Sequence, residues 1–279
     1  MANEDQAAHW DGSGGQHWAA EQERYDRMLQ PFGERVVTAL APAPGERVLD
    51  VGCGSGAITR AVAQRVGPGG EAVGVDLSGP MLERARASAA EAGLANARFE
   101  QGDAQTLDVG AGFDAFTSRF GVMFFDDPAA AFAKLAGALR PGGRAAFACW
   151  RELPANEWLM VPAAAILQHV APPDGGRPGG PGPFALADSD RVRTLLDGAG
   201  LGAVALEAFD EPAWMGDSVE DTLEFLQHTE MSRTLLGEVD DDLAALAWGA
   251  VADVLETRVG PDGIVLSGSA WLVIASKPA

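Results

Sequence analysis

The sequence predicts an α/β fold built on a mostly parallel sheet, and three observations carry that expectation. Between Arg47 and Trp150, short apolar runs alternate with longer segments of helical period, the pattern of βαβ units. The runs are bounded by Gly, Asp or Pro, and the helical segments start and stop on residues suited to helix ends. A chain of 279 residues, 47% hydrophobic and 22% charged, is long enough to bury one core and has the balance of a globular domain.

Trp18 to Leu40 reads as one or two amphipathic helices, a cap over the end of the sheet. Five strands follow, at Arg47–Val51, Ala72–Asp76, Ala97–Gln101, Phe113–Thr117 and Arg144–Cys149. The helix from Ser55 to Val66 carries Ile58, Val62 and Val66 on one face and stops at Gly67-Pro68. Pro80 opens a helix that ends at Gly93, and Asp127-Pro128 opens another that runs to Arg140 and is closed by Pro141-Gly142-Gly143. From Pro172 to Pro183 there are five Pro and five Gly, too many breakers for a regular element. That stretch is expected to be a mobile lid or lid hinge, with a plain linker as the bland alternative. Beyond it, Asp190–Asp197 reads as helix, Ala203–Phe209 as strand, Ser218–Val259 as two helices split near Gly237, and Ser269–Ser276 as the last strand. The expected organisation is one domain: a helical cap over 1–45, a core over 46–150, and lid, insertion and last two strands over 151–279.

Lys and Arg total 20 against 40 Asp and Glu, a formal net charge of −20. Long-range repulsion of polyanions makes nucleic acid a poor partner, and no apolar run is long enough to span a bilayer. The polar, acidic start at Met1–Gln6 lacks a secretion signal's apolar core, so a cytoplasmic protein is expected, as monomer or homodimer. Cys53 and Cys149 are expected to be free buried thiols, and no metal-ligand spacing appears.

The sharpest motif is Val48-Leu-Asp-Val-Gly-Cys-Gly-Ser-Gly56, a buried strand running into three glycines and then a helix. Glycines at 52, 54 and 56 permit a tight turn and let a ligand approach main-chain N–H groups at a helix N-terminus. Asp76 closes the next strand twenty residues after Gly56, where a carboxylate accepts hydrogen bonds from ribose hydroxyls, so an adenosyl ligand is expected. A nicotinamide dinucleotide and S-adenosylmethionine both qualify. Asp50, just before the glycines, disfavours a pyrophosphate and favours a sulfonium and an ammonium group. Asp103, after the third strand, could accept a hydrogen bond from the adenine amino group.

With these residues the chain resembles the class I S-adenosylmethionine-dependent methyltransferases, in particular the bacterial small-molecule branch similar to the ubiquinone/menaquinone methyltransferases. The resemblance covers about Trp18 to Trp150. It implies a Rossmann-like three-layer sandwich with a seven-stranded sheet whose last strand is antiparallel, and S-adenosyl-L-methionine as cofactor. It also implies that Asp50, Gly52, Gly54 and Gly56 shape the methionine pocket, that Asp76 holds the ribose, and that Leu77 and Met81 flank the adenine. Asp103 and Ala104 would cover the adenine amino edge. Phe113 to Phe125 is similar to the family's fourth-strand motif, which sets Ser118 and Arg119 beside the methionine moiety and turns Met123 and Phe124 toward the transferred methyl. Beyond Trp150 the resemblance thins to a Gly-Pro-Phe-Ala-Leu-Ala-Asp segment at Gly182–Asp188, whose Phe184 is a further candidate to bind the acceptor molecule, and to a closing Ala-Trp-Leu-Val strand at Ala270–Val273.

Methyl transfer is an in-line displacement in which the protein mainly aligns the reactants and excludes water; a general base is optional. His228, in the inserted helices, is the first candidate base, with a surface helix histidine as the bland alternative; His17, beside Trp18, is the second. Trp18, Trp150, Trp158 and Trp214 could line a flat apolar acceptor pocket or simply pack the core. Tyr25 could reach the methionine carboxylate or cap the core. The expected function is small-molecule methylation of the secondary-metabolism kind. Two alternatives remain: a nicotinamide-dependent oxidoreductase, and a methyltransferase fold that binds the cofactor for other chemistry.

Overall fold

A computed structural model describes residues 3–172 and 180–279. Three helices, α1 (Glu4–Asp11), α2 (Ser13–Ala20) and α3 (Gln22–Leu40), lead into β1 (Arg47–Val51), α4 (Ala57–Val66), β2 (Glu71–Asp76), α5 (Gly79–Glu91) and β3 (Ala97–Gln101). Then come β4 (Phe113–Arg119), a short 3-10 turn at Gly121–Phe124, α6 (Pro128–Ala138), β5 (Leu139–Trp150) and α7 (Glu157–Ile166). The chain ends with α8 (Ser189–Gly198), β6 (Gly202–Gly216), α9 (Val219–Gln227), α10 (Glu230–Leu236), α11 (Asp241–Glu256), β7 (Val259–Gly260) and β8 (Gly263–Ser276).

The strands form one sheet in the order β3-β2-β1-β4-β5-β8-β6, with β7 folded back on β8 as a hairpin. β1 pairs in parallel with β2 and β4, and β8 is antiparallel to both β5 and β6. The order reverses at β1 and β4, and in such sheets the crevice beyond the carboxyl ends of those strands is where ligands bind. Alternation along β1 sends Val48 to the side of α3 and α4, where it packs with Val37, Leu40, Ile58 and Val62, and sends Leu49 and Val51 to the larger core on the opposite face.

The early strands stand within two residues of where the sequence predicts them. The later elements differ. β6 runs to Gly216 instead of Phe209, and β8 starts at Gly263 instead of Ser269, because the two pair along almost their whole length, from Gly202↔Ser276 to Gly216↔Ile264. Pro212 fits in β6 because that strand is an edge. α6 stops at Ala138, not Arg140, and β5 takes in the Pro141-Gly142-Gly143 stretch. There Gly142 N–H donates to the Lys277 carbonyl at 3.1 Å. The insertion after β6 holds three helices, not two: besides the expected break near Gly237, where Asp240 caps α11 by accepting from Leu243 N–H, the chain breaks at His228–Thr229, where the Thr229 hydroxyl donates back to the Leu226 carbonyl at 2.8 Å. The cap begins at Glu4, well before Trp18, and α7 had no sequence counterpart. Of the expected lid at Pro172–Pro183, residues 173–179 lie outside those described. Among the described residues no helix is long and apolar enough to cross a membrane, and both cysteines are free and buried.

Candidate active site

The glycine turn sits at the end of β1. Gly52 has φ +64°, and a Cβ there would lie 2.6 Å from Gly121 Cα, so the turn passes against the loop that follows β4 at a distance only glycine allows. Gly54, with φ +54°, has its Cβ direction open apart from Met81 Sδ at 3.7 Å, which leaves its backbone accessible to a ligand. Asp76 holds this turn in place. Its Oδ2 accepts from Gly54 N–H at 2.7 Å and its Oδ1 from Ser78 N–H at 2.9 Å. Burial raises its pKa against those two bonds.

Asp50 is 1% exposed. Its Oδ2 accepts from the Thr59 hydroxyl at 2.6 Å, while Oδ1 is buried with no partner. Thr117 lies directly opposite Asp50 in the β1–β4 register, and its hydroxyl is also buried and unpartnered. Two neighbouring orphaned oxygens are costly unless a donor completes them, and a cationic N–H group suits both. Burial pushes the Asp50 carboxyl up to about 6, partly offset by Thr59 and by the charge of Arg119. Arg119 follows two residues after Thr117 on the same strand, its guanidinium mostly buried and 3.8 Å from Asp26 Oδ1. Burial lowers its pKa, and the charges of Asp26 and Asp50 oppose that. Asp26 is also bound by Arg60 at 3.1 Å and Gln22 at 3.1 Å, so α3 and α4 share one charge network with the strand ends. These groups can receive an ammonium on the Asp50 side and a carboxylate on the Arg119 side.

The other expected cofactor residues fall around this centre with differing freedom. The Ser118 hydroxyl is fully committed, donating to Val51 O at 2.7 Å and accepting from Gly121 N–H and Val122 N–H; it shapes the β4 loop and has little left for a ligand. Asp103 accepts from Gln105 N–H at 2.9 Å, and Gln105 in turn accepts from Asp127 N–H. Leu77 and Ala104 are half-buried near the ends of β2 and β3, and Met81 is buried on the first turn of α5. Tyr25 is buried, which raises its pKa, and Trp18 stacks on it with centroids 3.6 Å apart.

The candidate acceptor residues divide into two groups. Trp18 and Phe124 meet through Trp10, whose ring lies 5.9 Å from the first and 5.2 Å from the second, under the cap. Met123, Trp150 and Trp158 instead form a core block: Met123 Sδ accepts from Trp150 N–H at 3.3 Å, Trp150 stacks on Phe120 at 3.7 Å, and Trp158 lies 5.2 Å from Trp150. Phe184 packs half-buried against the main core. His228 is exposed at the end of α9 with Nδ1 2.8 Å from the Glu224 carbonyl. His17 is turned inward, between Tyr25 and Phe225.

Sequence reasoning missed Thr59, Thr117, Asp26 and Trp10. The repeated His-Trp pairs at 9–10 and 17–18 were the available signal for Trp10. Thr117 could have been found only from the register that sets it beside Asp50. A hollow of about 680 Å³ between α5 and β3, lined by Arg86, Ala89, Arg98 and Phe99 among others, includes none of the glycine-turn residues.

A parallel sheet with a glycine turn at its switch point, an acidic residue closing β2 and a buried carboxylate before the turn together define an adenosyl-binding α/β protein. A methyltransferase-domain family model matches residues 48–143. Aklanonic acid methyltransferase DauC of Streptomyces sp. (strain C5) is 37% identical over 166 residues, which cover 55% of this chain and 74% of that protein. Nocamycin O-methyltransferase of Saccharothrix syringae is 37% identical over 149 residues, covering 52% of this chain and 53% of that one, so the match spans only about half of that relative's length. The structure of Haemonchus contortus phosphoethanolamine N-methyltransferase 2 in complex with S-adenosyl-L-methionine shares the fold, with a TM-score of 0.60 at 17% identity, covering 100% of this chain and 60% of that one. The chain belongs to the class I S-adenosylmethionine-dependent methyltransferases. S-adenosylmethionine is the cofactor that this family assigns to the crevice.

Proposed function

We propose that the protein transfers a methyl group from S-adenosylmethionine to a small-molecule acceptor. The observation that carries this reading is the pair of unpartnered buried oxygens on Asp50 and Thr117, set beside Arg119 at the glycine turn. On this reading Asp50 and Thr117 receive the ammonium and Arg119 the carboxylate of the cofactor's methionine end. Asp76 receives the ribose hydroxyls, and Leu77, Met81, Asp103 and Ala104 surround the adenine. Bound there, the cofactor supplies an activated methyl on a sulfonium.

The chain's own task is to align and to shield. The Gly52–Gly121 contact holds the β1 and β4 loops together, and α1 is pinned above the strand ends by Asp11, which accepts from Gly79 N–H at 2.8 Å and Gln101 Nε2 at 2.9 Å. That arrangement excludes water from the transfer and strengthens the electrostatics within. Likeness to a nocamycin O-methyltransferase and to an aklanonic acid methyltransferase supports an oxygen acceptor on a secondary metabolite. The net charge of −20 favours a neutral or cationic acceptor over a phosphorylated one. The reading takes the chain as one domain acting in the cytoplasm.

Calorimetry with S-adenosylhomocysteine tests it. Binding by the wild type, weakened in Asp76→Ala by about 1–3 kcal/mol through lost charged hydrogen bonds, is the expected result. An unchanged dissociation constant in that variant, or preference for NADH, would contradict the assignment. Labelled methyl appearing on a hydroxylated acceptor distinguishes transfer from binding alone.

A further inference from the structure

Asp26 is half-buried on α3 and stands among three polar neighbours. Its Oδ2 accepts from Arg60 Nη2 and from Gln22 Nε2, each at 3.1 Å, while its Oδ1 faces Arg119 Nη2 at 3.8 Å. Arg60 turns its other amine to the Ser55 carbonyl at 2.7 Å, inside the glycine turn. The Arg119 stem lies against the same helix two turns further on, where a Cβ at Gly33 would stand 3.5 Å from Arg119 Cδ and 2.7 Å from Ile58 Cδ1. α3 therefore rests on both sides of the crevice, on the glycine turn through Arg60 and on the end of β4 through Arg119. At 3.8 Å Asp26 supplies charge without engaging a guanidinium N–H in a hydrogen bond, and no hydrogen bond from Arg119 is found among the described residues.

Arg119 and Asp50 carry opposite charges and lie near enough that each alters the other's proton affinity. Among the described residues no ion pair joins them, and Asp50 Oδ1 has no partner at all. A buried guanidinium and a buried carboxylate left apart are costly, so something must hold them apart. We propose that Asp26 is a positioning residue that draws Arg119 away from Asp50, leaving two separated counter-charges for the amino and carboxylate groups of the cofactor's methionine end. The inference rests on the cofactor-binding reading above. A closed Asp50–Arg119 pair would have to be broken by every incoming ligand; a pair held open by α3 does not. With Asp26 made neutral, Arg60 and Arg119 repel each other with nothing between them, and the carboxylate still pulling on Arg119 is Asp50. The guanidinium then moves onto Asp50 Oδ1 and occupies the ammonium site.

The test compares wild type with Asp26→Asn, using calorimetry with two ligands. One is S-adenosylhomocysteine; the other is 5′-methylthioadenosine, an adenosyl thioether without the amino-acid end. Asp26→Asn should weaken S-adenosylhomocysteine by roughly 10-fold and change 5′-methylthioadenosine by less than about 2-fold, because the loss is confined to the charged end. Carbon-13 NMR of the aspartate carboxyls supplies a readout that a merely structural tether would leave unmoved. The groups acting on Asp50 are Arg119 on β4, Asp76 closing β2, Cys53 in the turn and Thr59 on α4, and of these Arg119 alone is expected to shift. Asp50, which titrates at about 6 in the wild type, should therefore titrate below about 5 in ligand-free Asp26→Asn. Equal weakening of both ligands, no weakening of either, or an unmoved Asp50 titration overturns the proposal. Should Asp26→Asn fail to fold, a crystal structure of the wild type with S-adenosylhomocysteine decides: Arg119 between Asp26 and the ligand carboxylate supports the role, and Arg119 released from Asp26 overturns it. Failure of the wild type to bind S-adenosylhomocysteine is a different result, which would overturn the functional reading and this inference with it.

Discussion

Asp50 is a buried carboxylate with one oxygen left without a partner, which costs stability. Its carboxyl titrates at about 6 in the folded protein against 3.8 for an ordinary Asp, with burial the main cause. Between those values the folded chain holds a proton that the unfolded chain has lost, so stability falls as pH rises from about 4 to 6 and stays lower above that window. Asp50→Asn should remove this dependence and raise stability near pH 7 by about 2 kcal/mol, as read from urea unfolding across pH. If Asp50 faces the cofactor's ammonium as proposed, the same substitution should weaken S-adenosylmethionine binding by roughly 10-fold or more, because a neutral amide replaces the charge. In the wild type, affinity should decline as pH falls below about 6, since protonation of Asp50 competes with the cation. A flat pH profile by calorimetry would remove Asp50 from the site. The sequence pointed to Asp50 through its place before the glycines, but nothing local said that Thr117 stands beside it.

Among elements, the turn after β1 separates two kinds of glycine requirement. Gly52→Ala places a methyl 2.6 Å from Gly121 backbone at φ +64°, so β1 and β4 loops must part; a stability loss of about 2–4 kcal/mol and loss of cofactor binding are expected. Gly54→Ala meets only Met81 Sδ at 3.7 Å, and its cost should be limited to about 1–2 kcal/mol of backbone strain, with a larger effect on binding than on folding. Thermal melts with and without S-adenosylhomocysteine check both, and equal stability losses would contradict the contrast. The βαβ elements were legible because each is bounded by its own breakers and carries its own period. The lengths of β6 and β8 were not, since each strand extends as far as the other pairs with it. The helix count between them turned on a break at His228–Thr229 within a segment of nearly continuous helical pattern.

Over the whole molecule, 40 acidic against 20 basic residues set the chain against itself. Added salt should screen that repulsion, so the melting temperature should rise by a few degrees between about 20 mM and 500 mM sodium chloride. Scanning calorimetry reads this directly, and a fall in Tm over that range would mean that ion pairs such as Arg144–Glu46 at 2.7 Å outweigh the net charge. Binding of a cationic cofactor should weaken over the same range, because the field that draws it in is screened too.

By itself the sequence determined the alternation of strands and helices, the glycine turn and the acidic residue closing β2, because those features follow from steric and periodic preferences of neighbouring residues. Only the tertiary structure decided that Asp50 and Thr117 share a buried face, that His17 turns inward while His228 stands in solvent, and that the expected acceptor residues divide between the cap and the core. Whether a polar atom is buried, and what faces it there, depends on elements far apart in the chain, and packing alone brings those together.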